Sequence, residues 1–151
     1  MSKIETLSFF CEDIRWESNG SPMLLGIMAS TVHPEHHPLD LKNINLVTFF
    51  RIPKEIAEFS ASLSIFKISD GMENLVSEHS ADYTCLDPEE SPYQWTSVSN
   101  LQIDNVSLSH GDSLKAELSV RNQCWETFLT CGASILDSHK NAPLDKTNQI
   151  G

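Results

Sequence analysis

The densest metal-binding chemistry in the chain lies in one short loop, His33-Pro34-Glu35-His36-His37-Pro38-Leu39-Asp40. The imidazoles of His33, His36 and His37, with the carboxylate of Glu35, are the donor types that hold zinc or a similar divalent ion. Their spacing is not the helical H-E-x-x-H arrangement, and adjacent histidines diverge where a loop is extended. Pro34 and Pro38 stiffen the run, which serves a metal site or simply shapes the exit of a strand. The alternative to a metal site is a solvent-exposed loop.

A second polar cluster comprises Glu12, Asp13, Arg15 and Glu17. Paired carboxylates perform acid–base chemistry or bind calcium. Here Arg15 stands between them in sequence and is placed to pair with one. On the structural reading these residues hold a strand end or bulge, and Arg15→Ala is expected to destabilise the fold. His110, Asp112 and Ser113 supply the residue types of a catalytic triad, but within four positions they cannot line up as nucleophile, base and orienter. No G-x-S-x-G elbow is present either.

The other chemistry-bearing residues read as bland. Cys11 and Cys124 sit in apolar or aromatic contexts that favour the neutral thiol. With Cys85 and Cys131 they form no C-x-x-C pair, so free, buried thiols are expected. Asp87, Glu89 and Glu90 could gather a cation, or form a solvated crossing between sheets. No Walker loop or dinucleotide fingerprint occurs. Of Trp16, Trp95 and Trp125, at least two should pack in the core, and one left exposed would mark a binding surface.

These side chains are carried by short strands. Leu7 to Val32 reads as two strands meeting at Asn19-Gly20, a dipeptide suited to a two-residue hairpin turn. Both faces of the second arm, from Met23, are largely apolar at first, which suits a central strand, and Gly26 inside it points to a close packing approach or a twist. Asn43 to Ile52 is the next strand, followed by a helical turn over residues 53–59 and a return strand over 61–69. Leu75-Val76 opens a short strand at most. Trp95 to Ile103 and Val106 to Leu108 read as β. Leu114, Ala116, Leu118 and Val120 alternate with Lys115, Glu117, Ser119 and Arg121, the pattern of a strand with one solvated face. Cys124 to Leu136 is the final strand or pair of strands.

Connections mostly below a dozen residues leave no room for repeated βαβ crossovers. The expectation is an all-β, antiparallel, immunoglobulin-like β-sandwich of seven to nine strands with at most one short helical turn. It spans residues 1–137 as a single domain, with 138–151 a loose C-terminal tail.

The run Phe10-Cys11-Glu12-Asp13-Ile14-Arg15, then Glu17, Gly20 and Leu25-Gly26-Ile27, resembles the opening of a family of small uncharacterised bacterial and phage proteins. In that family an F-C-(D/E)-D-hydrophobic-R-x-E run precedes a glycine turn and an L-x-G-hydrophobic strand. The resemblance covers about the first thirty residues. It implies a single β-sandwich domain with no assigned activity, in which Cys11, Glu12, Asp13, Arg15, Glu17 and Gly20 form a structural motif.

Charge narrows the function classes. With 21 acidic against 10 basic residues the net charge is −11, and the bases are scattered singly. Nucleic acid and anionic membranes are therefore disfavoured as partners. No apolar run approaches the roughly eighteen residues of a membrane span. Residues 1–5 lack a signal-peptide core, so a cytoplasmic location is expected. The leading reading is a non-enzymatic sandwich that binds a protein partner or assembles as a homo-oligomer, with no cofactor. The alternatives are a metal-dependent enzyme or zinc-binding protein using the His33–His37 loop, and an acidic inhibitor or decoy of a nucleic-acid-binding protein.

Overall fold

A computed structural model of the chain describes residues 3–19, 21–84 and 93–136, the backbone alone over 93–100. Strands β1 (Glu5–Trp16) and β2 (Pro22–Ile27) form the first hairpin. Two short strands follow, β3 (Thr31–Val32) and β4 (Leu39–Leu41), and then β5 (Ile44–Pro53). A second hairpin joins β6 (Glu58–Ser69) to β7 (Met72–Thr84). The remaining strands are β8 (Tyr93–Ile103), β9 (Val106–Leu108), β10 (Ser113–Val120) and β11 (Gln123–Cys131). Strands make up 69% of the structure and helix 2%, so the protein is all-β.

The strands form a four-stranded sheet in the order β2-β1-β5-β8, a five-stranded sheet in the order β3-β11-β10-β6-β7, and a small β4-β9 ribbon. Every pairing is antiparallel except the short β11–β3 contact. β5 is rich in β-branched and aromatic residues, which suit a pleated central position. It sends Ile44, Leu46, Phe50 and Ile52 into one apolar cluster with Phe10 of β1. The five-stranded sheet contributes Leu63 and Ile65 from β6, Leu114, Ala116, Leu118 and Val120 from β10, and Leu129 from β11. Fully burying a side chain such as Phe50 or Ile65 stabilises the fold by about 1.5–3 kcal/mol.

Several expectations are corrected. Trp16 pairs with Pro22, so the first hairpin closes through residues 17–21 rather than through a two-residue turn. Within that loop the Ser21 amide donates to the Asn19 side chain at 3.0 Å and Glu17 N–H to the Ser21 carbonyl at 2.9 Å, while Gly20 lies outside the described residues. The second arm is not one strand to Val32. It stops at Ile27, after Gly26 turns to φ +65°, and Thr31–Val32 joins the other sheet. β2 is an edge strand, not a central one. No helical turn forms after Pro53: Ile56 N–H closes a hydrogen-bonded turn on the Pro53 carbonyl at 3.0 Å, and β6 has begun by Glu58. β7 runs thirteen residues, far beyond Leu75-Val76, because an edge strand exposed on both faces needs no apolar alternation. The proposed tail at 138–151 lies outside the described residues.

The solvated face expected of β10 is also only partly so. Lys115 points away from the core yet is buried. Its ammonium lies 2.6 Å from Glu73 and 2.9 Å from Glu117, and 5.1 Å from the centre of the Phe66 ring. Hydrogen bonds to Glu73, then Glu117, hold its pKa above the ordinary lysine value. A raised pKa means stability that is fully present below the unfolded lysine value and lost as pH climbs through the folded one. Lys115→Met is therefore expected to lower the urea midpoint at neutral pH. The gap from wild type should persist to about pH 10.4 and narrow above it, as followed by denaturation curves across the alkaline range.

Candidate functional site

The strands that carry the two polar clusters of the sequence converge on one crevice. Met28 follows β2, Val32 lies in β3, and Leu39 and Leu41 in β4, and together with Ile44 they form an apolar wall. Glu12, Asp40 and Lys42 complete the lining of this space of about 410 Å³. Leu41 and Ile44 belong to the core, and Met28, Val32 and Leu39 pack against it, so the crevice opens onto the core itself. That volume falls within the range of small-ligand pockets, about 300–1,000 Å³. Two further hollows lie along β6 and β7, one lined by Ser60, Ser62, Ser80, Asp82, Ser119 and Arg121 and the other by Glu58, Asp82, Tyr83 and Thr84 among others. The walls of the second are largely polar, and those of the first, which include Ala61 and Ala81, are mixed.

Glu12 owes its place to Gly26. A methyl group at Gly26 would lie 2.8 Å from the Glu12 Cγ, Cδ and Oε2 atoms. The glycine thus gives the Glu12 side chain room to lie across the backbone, and its φ of +65° is one that L-residues resist. A close approach or a twist is what a glycine inside a strand pattern implies; that Glu12 is the partner is not evident from spacing. The Glu12 backbone carbonyl meanwhile accepts the Asn45 amide at 3.0 Å, which ties β1 to the start of β5.

The remaining motif residues do not join Glu12. Cys11 is fully buried beneath the outward face of the four-stranded sheet. Burial first, and then the Asp13 charge, raise its pKa. Asp13 and Arg15 lie on that same outward face and pair at 3.2 Å, both well exposed. An exposed pair of this kind stabilises by about 0–1 kcal/mol, so Arg15 does not pin the fold as expected.

The histidine loop is bound to the chain's other end. The His33 imidazole donates from Nδ1 to the Ala133 carbonyl at 3.0 Å, and His37 from Nε2 to the Gly132 carbonyl at 2.9 Å. Gly132 N–H returns a bond to Val32, Ile135 N–H bonds Pro34, and the Ser134 hydroxyl bonds the Glu35 carbonyl. A Cβ on Gly132 would meet the His33 ring at 2.6 Å, so this close approach requires glycine. Among the described residues no three His, Cys, Asp or Glu side chains gather as a metal-ligand set.

His110 stacks on His37 with ring centres 5.4 Å apart. Asp112, which the triad reading would make an orienter, instead accepts the Ser69 hydroxyl at 2.8 Å and the Ser109 N–H at 2.9 Å. Ser113 shares a hydrogen bond with Thr130 at 2.9 Å. These three residues face three different partners. Cys131 is buried, and burial followed by the Asp112 charge raises its pKa. Asp87, Glu89 and Glu90 lie outside the described residues, as does Cys85. No protein-family model matches the chain, and no curated protein is significantly similar to it.

Two outcomes follow from this geometry. Gly26→Ala is expected to cost about 1–2 kcal/mol through the left-handed backbone alone, against under about 1 kcal/mol for Arg15→Ala, as urea denaturation would measure. For the thiols, iodoacetamide at about pH 7.5 should modify exposed Cys124 in the folded protein. Cys11 and Cys131 should react only after denaturant is added or at strongly alkaline pH, as peptide mapping would show.

Proposed function

We propose that the protein is a non-enzymatic binding and self-association module, built as a two-layer antiparallel sandwich of the immunoglobulin-like kind. One observation carries the reading: among the described residues, the outward face that β2, β1 and β5 give the four-stranded sheet is apolar and uncovered. Cross-strand register puts Leu7, Phe9 and Cys11 of β1 beside Phe49 and Val47 of β5, and Leu25 and Ile27 of β2 continue the same face. Leu7 and Ile27 are each 54% exposed, and Met23 on this face is 43% exposed. Apolar faces left open on a folded domain mark contact surfaces.

Charge favours a second copy as the occupant. Two chains of net charge −11 repel, so they can meet only where the local balance is neutral. On this face Glu5 pairs with Arg51 at 3.3 Å and Asp13 with Arg15 at 3.2 Å, two acids against two bases at opposite ends of the apolar strip.

Light scattering coupled to size exclusion, from about 1 to 100 µM, is the test. Wild type should form a discrete oligomer. Leu7→Lys with Ile27→Lys should shift it towards monomer by tenfold or more in dissociation constant, with thermal stability retained because both side chains are already half exposed. A wild-type monomer at every concentration would sink the proposal.

A further inference from the structure

We infer that the crevice beside Glu12 is a binding site for a small ammonium ion carried on an apolar body, such as an alkyl- or arylalkyl-amine. This site is separate from the outward sheet face and stands whether or not that face self-associates. Its walls are hydrocarbon: Met28, Val32, Leu39, Leu41 and Ile44. Leu41 and Ile44 are already buried, so the apolar part of a ligand there would withdraw the part-exposed surface of Met28, Val32 and Leu39 from water.

The polar end of the ligand is set by which charges are already engaged. Asp40 accepts the Ser107 hydroxyl across the β4–β9 ribbon. Its neighbours Leu39 and Leu41 point the opposite way in the strand, toward the core. Glu12 differs. Its carboxylate has no hydrogen bond or ion pair among the described residues, and its side chain lies against Gly26, a residue with no side chain to displace it. A carboxylate so placed at an apolar wall accepts charge-assisted hydrogen bonds from a primary ammonium. The chain's net charge of −11 adds a long-range attraction for cations and a penalty for carboxylate ligands. Lys42 also lines the crevice, and it would oppose an ammonium rather than hold it.

The experiment is a methyl and amide NMR titration of the full chain with hexylammonium chloride. Hexanoate and ammonium chloride serve as the anionic and headgroup-only controls. Hexylammonium should give saturable shifts at Met28, Val32, Leu39 and Leu41, with a dissociation constant of about 1 mM for so small a ligand. Glu12→Gln keeps the shape of the side chain and should weaken binding about tenfold or more. Lys42→Met should bind as well as wild type or better. Three results would each overturn the site: no saturation by about 20 mM, equal binding of hexanoate, or a Glu12→Gln protein that binds as wild type does. Unchanged amide spectra away from the crevice would show that each variant remains folded.

Discussion

Strand β5 has no fully exposed residue, only Phe49 and Arg51 reaching water in part, and the rest of the structure follows from that. Ile44, Leu46, Thr48, Phe50 and Ile52 face the shared core, and on the opposite face Asn45 and Val47 are also buried. The polar members of this strand are satisfied locally. Thr48 shares a hydrogen bond with Ser8 at 2.9 Å, and the Asn45 amide donates to the carbonyls of Glu12 and Asn43. A strand covered on both faces must be central, so β1 and β8 flank it. Those neighbours then have to be apolar on the outward side too, at least around Val47. Leu7, Phe9 and Cys11 supply that cover from β1. The open apolar strip is thus the margin of a second, shallower core, with Cys11 and Val47 at its dry centre.

How much of this was legible in the sequence depended on whether a residue's neighbours were local. The alternation of Leu114, Ala116, Leu118 and Val120 announced β10, and these residues do line the core. The same alternation misjudged Lys115, because Glu73 and the Phe66 ring that enclose it come from other strands about forty residues away. β7 was nearly invisible for a different reason. An edge strand with Glu73, Glu78, His79 and Asp82 along it has no dry face to write an apolar period into the chain. The two apolar faces of β2 were read correctly as composition and wrongly as position. Nothing in a single chain distinguishes a strand buried by its own sheet from one whose outer face stays open.

The candidate site divides along the same line. Glu12 and the histidines stood out by residue type, and Gly26 as a glycine inside a strand pattern, whereas Gly132 did not stand out. Gly26 makes room for Glu12 across a hairpin, and Gly132 makes room for His33 across a separation of about a hundred residues. A glycine inside a strand pattern signals a close approach without naming the partner, and Gly132, just past the end of β11, has no such pattern around it. His33 and His37 were legible as ligand types, and one ring nitrogen of each donates to the backbone, at the carbonyls of Ala133 and Gly132. The residue types suggested a metal, whereas the partner of these two nitrogens is the backbone of a distant strand exit.

The edges and faces of the molecule are treated differently, and this bears on how it could associate. Exposed strand edges invite pairing with other chains unless something blunts them. β7 carries acidic side chains along its length, and a bulge between Ile65 and Phe66 interrupts its pairing with β6. β2 is only six residues long, begins with Pro22, which lacks an N–H donor, and bends at Gly26. β3 is two residues long. Each of these edges therefore resists extension by hydrogen bonding. The outward face of the four-stranded sheet has no comparable defence: its acids are matched by Arg15 and Arg51, and its centre is hydrocarbon. Under the proposed self-association, the charge-balanced apolar face among the described residues, rather than the β2, β3 or β7 edge, would be where two copies meet. Contact through that face would be driven by burial rather than by backbone pairing, and it would be sensitive to single charges placed among Leu7, Phe49 and Ile27.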